Sequence, residues 1–117
     1  MEDCIFCKLA NGQIPTDLVY EDDEVAAFKD VNPKAKIHYL FVPKEHISSM
    51  NECAQDGTIM AHIFQAIAKV AKRDGFDRNG YRIVSNCGKD GGQTVHHLHV
   101  HVLAGEPVRF PGFDEED

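Results

Sequence analysis

Thr94-Val95-His96-His97-Leu98-His99-Val100-His101-Val102-Leu103 carries histidine at every second position from 97 to 101, with aliphatic residues in the gaps. That alternation has the period of a β-strand, whose successive side chains point to opposite faces. It assigns His97, His99 and His101 to one face and Leu98, Val100 and Val102 to the other, so that one face is packed and the other carries chemistry. Imidazole is the side chain that serves as nucleophile, general acid or base, or metal ligand near neutral pH. A purification tag would place consecutive histidines at a terminus, whereas these alternate inside the chain. Two or three imidazoles on one strand face can also chelate a single zinc ion, and the strand alone leaves that reading open.

Working outward, Tyr81 to Asn86 reads as a strand, and Cys87 to Gly92 is a glycine-containing loop that joins it to the histidine strand as a hairpin. Upstream, Ile59, Ile63, Ile67 and Val70, with Met60, Phe64 and Ala71 beside them, follow helical spacing between Thr58 and Arg73, and Gly75 marks the stop. Ile37 to Val42 is a strongly β-prone run closed by Pro43. Leu18 to Tyr20 and Val25 to Phe28 flank the polar Glu21-Asp22-Asp23-Glu24 and read as an antiparallel pair. Cys4 to Leu9 is a short helix stopped at Asn11-Gly12. Strands gathered around one long helix predict an α+β domain rather than a parallel βαβ fold.

A chain of 117 residues, 43% hydrophobic and 26% charged, builds one core and no second domain. A single domain over residues 1–117 is expected, with Phe113-Asp114-Glu115-Glu116-Asp117 a solvated end. The start, Met1-Glu2-Asp3-Cys4, has neither a basic nor an apolar leader, and no apolar run has membrane-spanning length. A cytoplasmic protein without a membrane partner is expected. Acidic residues outnumber basic ones 19 to 12, with no basic patch, which disfavours polymeric nucleic acid. Of the four cysteines, Cys4 and Cys7 stand as Cys-x-x-Cys. A thioredoxin-like motif would follow a strand, and only three residues precede Cys4.

His97-Leu98-His99-Val100-His101-Val102-Leu103 matches in full the His-φ-His-φ-His-φ-φ signature, φ being hydrophobic, of the histidine triad (HIT) family. Gly91-Gly92-Gln93-Thr94-Val95, Asp30-Val31, Phe41-Val42-Pro43-Lys44 and His46-Ile47-Ser48 resemble other segments of that family in the same order. The ending Leu103-Ala104-Gly105 is similar to the Hint branch of nucleoside phosphoramidases, and the Cys-x-x-Cys to its bacterial members. The resemblance implies the HIT fold, a five-stranded antiparallel sheet with one long and one short helix, and a homodimer whose sheets join.

It further implies that His99 attacks the α-phosphorus of a purine nucleoside phosphoramidate, an AMP derivative, to form a nucleotidyl-histidine that water resolves. His101 would donate to a nonbridging phosphoryl oxygen and Thr94 would hydrogen-bond near the leaving group. Amides near Gly92 and His99 would cradle the phosphoryl oxygens, Asp30 would accept from the ribose hydroxyls, and Asn86 would lie beside the phosphate. Ile5, Phe6, Phe28 and Ile47 would form an apolar slot for the base. By the same resemblance, His46 and His97 join Cys4 and Cys7 around a structural zinc, which the chemistry itself does not require. His38, His62 and His96 are expected outside these roles. Three rival readings stand beside the phosphoramidase: a dinucleoside polyphosphate hydrolase, a nucleotide-binding regulatory module, and a metallohydrolase that uses the triad as its zinc site.

Overall fold

The structure, a computed structural model, describes residues 3–112; the expected acidic tail lies outside them. Short helix α1 spans Ile5–Ala10 and long helix α2 spans Thr58–Asp74. The strands are β1 (Leu18–Glu21), β2 (Val25–Lys29), β3 (Ile37–Pro43), β4 (Arg82–Val84) and β5 (Val100–Ala104). They form one antiparallel sheet in the order β1-β2-β3-β5-β4. This is the expected α+β architecture, five strands with one long and one short helix. No helix among the described residues is long and apolar enough to cross a membrane.

The helices stop where their sequences predict. Gly75, at φ 86, closes α2 with its N–H on the Ala71 carbonyl, a left-handed turn that a side chain would strain. Cys4 caps α1 through its sulfur, which accepts from the Cys7 N–H. Asn11 ends α1 and ties it to the sheet, its side-chain amide donating to the carbonyls of Cys7 and Lys44.

The central strands are buried on both faces. On one, Val25, Ala27, Phe41, Leu98, Val100 and Val102 pack with Ile63, Ile67 and Val70 of α2. On the other, Ala26, Phe28, Leu40 and Val42 pack with Phe6 and Ala10 of α1. Each large side chain so removed from water contributes about 1.5–3 kcal/mol. Six residues make α1 about 9 Å long, too short to cover its face, and the triad occupies the remainder.

The extent of the last strands differs from the sequence reading. The ladder of β5 begins at Val100, and β4 shrinks to three residues. The cause is competition for backbone partners: the Leu98 N–H donates to the Ile47 carbonyl (2.6 Å) and the Ser85 hydroxyl donates to the His99 carbonyl (2.9 Å). β4 and β5 pair as the expected antiparallel hairpin, joined by a long loop. Alternation survives nonetheless, because Leu98 still enters the core beneath α2.

His62 pins the first hairpin to α2. Its Nε2 lies 2.9 Å from Asp22 Oδ2 and its Nδ1 2.8 Å from Glu24 Oε2, so it bridges both carboxylates only as the imidazolium. The Asp22 hydrogen bond raises its pKa above the ordinary value. A raised folded-state pKa contributes stability that is full below the unfolded value and lost as pH rises through the folded one. The melting-temperature gap between wild type and His62→Gln is therefore expected to be widest near about pH 5.5 and to close by about pH 9. A gap that does not change over that range would refute the clamp.

Candidate active site

The three triad histidines share a face but not an environment. His97 is fully buried and His99 nearly so, while His101 is half-buried. The ring centres of His99 and His101 stand 5.1 Å apart, and those of Phe6 and His99 also 5.1 Å apart in a T-shaped contact.

Backbone carbonyls decide which nitrogen of His97 and of His99 carries the proton. His99 Nδ1 lies 2.7 Å from the His97 carbonyl, an acceptor only, so Nδ1 donates and the neutral ring keeps its lone pair on Nε2. His97 Nε2 donates likewise to the Pro43 carbonyl at 2.8 Å, which leaves the Nδ1 lone pair facing Cys4 and Cys7. Burial lowers the pKa of His97 and keeps it neutral.

Cys4, Cys7, His46 and His97 converge, their ligand atoms all within 4.8 Å of one another. Cys4 Sγ and Cys7 Sγ lie 3.2 and 3.3 Å from His97 Nδ1, and Cys7 Sγ lies 3.2 Å from His46 Nδ1. Two sulfurs and two imidazole nitrogens around one point can hold a metal ion, and a carbonyl that orients His97 through its other ring nitrogen is what a metal-ligating histidine needs. Burial, followed by the neighbouring Cys4, pushes the Cys7 thiol up to about 11. A metal must therefore expel that proton to bind.

His38 corrects the sequence reading, which placed it outside the site. Its Nε2 lies 2.9 Å from His101 Nδ1 and 3.4 Å from Asp30 Oδ2, and Asp30 Oδ2 is 4.0 Å from His101 Nδ1. Parity along β3 puts His38 on the face of Leu40 and Val42. Only the register, with Leu40 opposite His101, brings its ring to the triad. Of the other two, His62 forms the hairpin clamp and His96 is exposed.

The remaining residues divide between wall, loop and core. Ile5 and Thr94, with Cys4, His46, Ser48 and Val95, line a cleft of about 600 Å³. Phe6 and Phe28 are buried with rings 5.4 Å apart, Phe6 against His99. Ile47 packs instead with the α2 side of the core. Asn86 is half-buried on the segment leaving β4, and Asp30 Oδ1 accepts from the Asn32 N–H.

In the loop before the triad, the Gly92 N–H is engaged by the Lys89 carbonyl at 3.1 Å. The steric need for glycine lies at Gly91, where a Cβ would stand 2.5 Å from the Cys87 carbonyl oxygen. Gln93, which the sequence reading left without a role, clamps this loop. Its amide nitrogen donates to the carbonyls of Ser48 and Val95, and its oxygen accepts from the Gly88 N–H.

An antiparallel sheet that presents a file of imidazoles on one face, one with its Nδ1–H held by a backbone carbonyl and one a member of a Cys2His2 cluster, defines an α+β protein with a histidine-lined site. Residues 3–109 match the family described as scavenger mRNA decapping enzyme C-term binding. The purine nucleoside phosphoramidase of Escherichia coli is 38% identical over 108 residues, covering 92% of this chain and 91% of its own. A histidine triad protein from Clostridium difficile superposes with a TM-score of 0.90 at 51% identity, over 94% of this chain and 96% of its own. A HIT family hydrolase from Legionella pneumophila gives 0.88 at 40%, over 93% and 98%. The chain belongs to the histidine triad family.

Proposed function

We propose that this protein hydrolyses purine nucleoside phosphoramidates through a nucleotidyl-His99 intermediate. The observation that carries the reading is the His99 ring, whose Nδ1–H is spent on the His97 carbonyl so that Nε2 keeps an in-plane lone pair. In this mechanism the Nε2 lone pair forms the bond to the α-phosphorus as the P–N bond breaks, the leaving amine takes a proton from solvent, and water then forms a P–O bond as the Nε2–P bond breaks, releasing the nucleoside monophosphate and returning a proton to solvent. The His97 carbonyl faces the positive imidazolium of the adduct, which it stabilises. Covalent catalysis of this kind replaces one difficult displacement by two easier ones. Thr94, on the cleft wall, serves the leaving group. Asp30 takes the ribose hydroxyls, Asn86 and the loop around Gly92 take the phosphate, and Ile5, Phe6 and Phe28 border the base. The name of the Escherichia coli relative supports this substrate class.

In the same reading the Cys2His2 cluster holds a structural zinc. Zinc suits two thiolates and two imidazoles in a closed site, and it would fasten Cys4 and Cys7 of the N-terminal segment to the triad through His97. A homodimer in the cytoplasm completes the picture. The free edge of β4, where Ile83 is exposed, is the seam this reading favours, and sedimentation at twice the chain mass is expected.

The test of the activity is brief mixing with an adenosine phosphoramidate, an acid quench, and intact-protein mass spectrometry. An adenylyl adduct on the wild type is expected, with turnover exceeding that of a dinucleoside polyphosphate. Faster polyphosphate turnover would transfer the reading to that substrate class, and nucleotide binding without turnover would make the protein a binding module.

A further inference from the structure

We propose that Cys4 and Cys7 form an oxidative modification site for small peroxides, in which Cys4 reacts first and Cys7 closes a disulfide that gives up the metal ion and loosens the triad. The inference rests on the proposed function for the ion released and for the activity that reports it, but not for the pairing of the two sulfurs.

Helix geometry brings the two thiols together. Cys4 is the N-cap of α1 and its carbonyl accepts from the Lys8 N–H at 3.1 Å, so the turn from Cys4 to Cys7 is already closed. Residues three apart on a helix have their Cα atoms about 5 Å apart, inside the roughly 4.4–6.8 Å that a disulfide spans. Both sulfurs turn toward the same His97 Nδ1, at 3.2 and 3.3 Å, and lie within 4.8 Å of each other. Side-chain rotation therefore brings them to bonding distance without moving the backbone.

Access differs between them. Cys4 is half-buried and lines the cleft of about 600 Å³, whereas Cys7 is buried. A small oxidant that enters the cleft meets Cys4 first. The other two thiols stand elsewhere: Cys53 packs with the core on the α2 side of the sheet, and Cys87 belongs to the loop that leaves β4. A metal site with both thiolates sealed would resist oxidation, and this one leaves one sulfur on a cleft wall.

The reaction balances between the pair and one hydroperoxide. The Cys4 thiolate attacks the peroxide, forming an S–O bond as the O–O bond breaks, and the oxygen that leaves takes a proton from solvent. The Cys7 thiolate then attacks the Cys4 sulfur, forming the S–S bond as the S–O bond breaks, and the hydroxide released takes a second proton. Two thiolates lose two electrons and the peroxide gains them. Metal ligation needs thiolate sulfur, and His46 and His97 alone are half of a four-coordinate set, so the chain no longer holds the ion. The loss reaches the triad through His97, whose ring faces the sulfurs while its carbonyl holds His99 Nδ1 at 2.7 Å. It also reaches His99 through α1, whose Phe6 packs against that ring.

Treating the protein as isolated with hydrogen peroxide tests the site without any substrate. Trypsin cleaves after Lys8, so Met1 to Lys8 is one peptide that carries both cysteines. After nonreducing digestion it is expected to be about 2 Da lighter than its reduced form. A chromogenic chelator should read about one zinc released per disulfide. Turnover of an adenosine phosphoramidate should fall by about 3- to 10-fold and return with a thiol reductant and zinc. In Cys7→Ser, Cys4 should stop at the sulfenic acid and be trapped by a 1,3-diketone, whereas in Cys4→Ser the buried Cys7 should stay unoxidised over the same time.

Oxidation that settles first on Cys53 or Cys87, or a Cys4–Cys7 disulfide that leaves the zinc bound, would overturn the inference. So would a disulfide formed at full turnover. If neither serine variant folds, the wild-type peptide mass and zinc release still decide. A protein isolated without zinc refutes the metal reading itself, and the peptide mass alone then decides the thiol pair. A protein that closes the disulfide and releases zinc yet never turns over the phosphoramidate would remove the proposed substrate and leave the thiol pair standing.

Discussion

His99→Gly is expected to lose both the adenylyl adduct and turnover, the latter by at least ~10³-fold, because removing a covalent nucleophile takes away the reaction path and not only an interaction. The side chain is buried and edge-packed by Phe6, so the variant loses packing as well as chemistry. A melting curve is needed beside the assay to show that the protein remains folded. Persisting adduct or turnover in a folded His99→Gly protein would mean that another histidine attacks. His101, whose ring lies 5.1 Å away, would then be the first to exchange for Ala.

Metal removal is expected to have the largest effect on stability. The protein as isolated should carry about one zinc per chain, and both chelation and Cys7→Ser should lower the melting temperature by at least about 10 °C. Helix α1 has six residues, far below the length at which a helix persists alone in water, so tertiary contacts must hold it. Those contacts are Phe6 and Ala10 against the sheet and the cluster of Cys4 and Cys7 with His46 and His97.

Structural zinc supplies folding free energy directly, and in a domain near 100 residues each kcal/mol moves the midpoint by roughly 4–8 °C. His97 links this site to the chemistry, since its ring faces the sulfurs while its carbonyl holds His99. Partial loss of turnover should accompany loss of metal. A metal-free protein with an unchanged midpoint would refute the structural role. One that stays folded but becomes wholly inactive, with activity restored in proportion to added zinc, would favour the metallohydrolase instead.

Both faces of the histidine strand were legible from its alternation, because side-chain direction in extended backbone is a local property. The limits of α2 were legible too, from the helical spacing of Ile59 to Val70 and from Gly75 as the stop. The ladder limits were not, since the backbone of Leu98 and His99 turns to Ile47 and Ser85, partners remote in sequence. The role of Gln93 is hidden in the sequence for the same reason. An amide side chain in a loop looks solvated until three loop segments close around it.

Sequence by itself determined the α+β class, the strand that carries the imidazoles, and the family whose signature that strand matches, and through the family the four residues that converge where a metal ion could be held. Only the tertiary structure decided where each proton sits. The His97 and Pro43 carbonyls and the Lys34 N–H fix three ring tautomers. The register of β3 against β5 turns His38, a histidine with no apparent role, into the partner of His101. Periodicity is written in neighbouring residues, whereas a tautomer depends on which donor or acceptor the folded chain brings within 3 Å of each nitrogen.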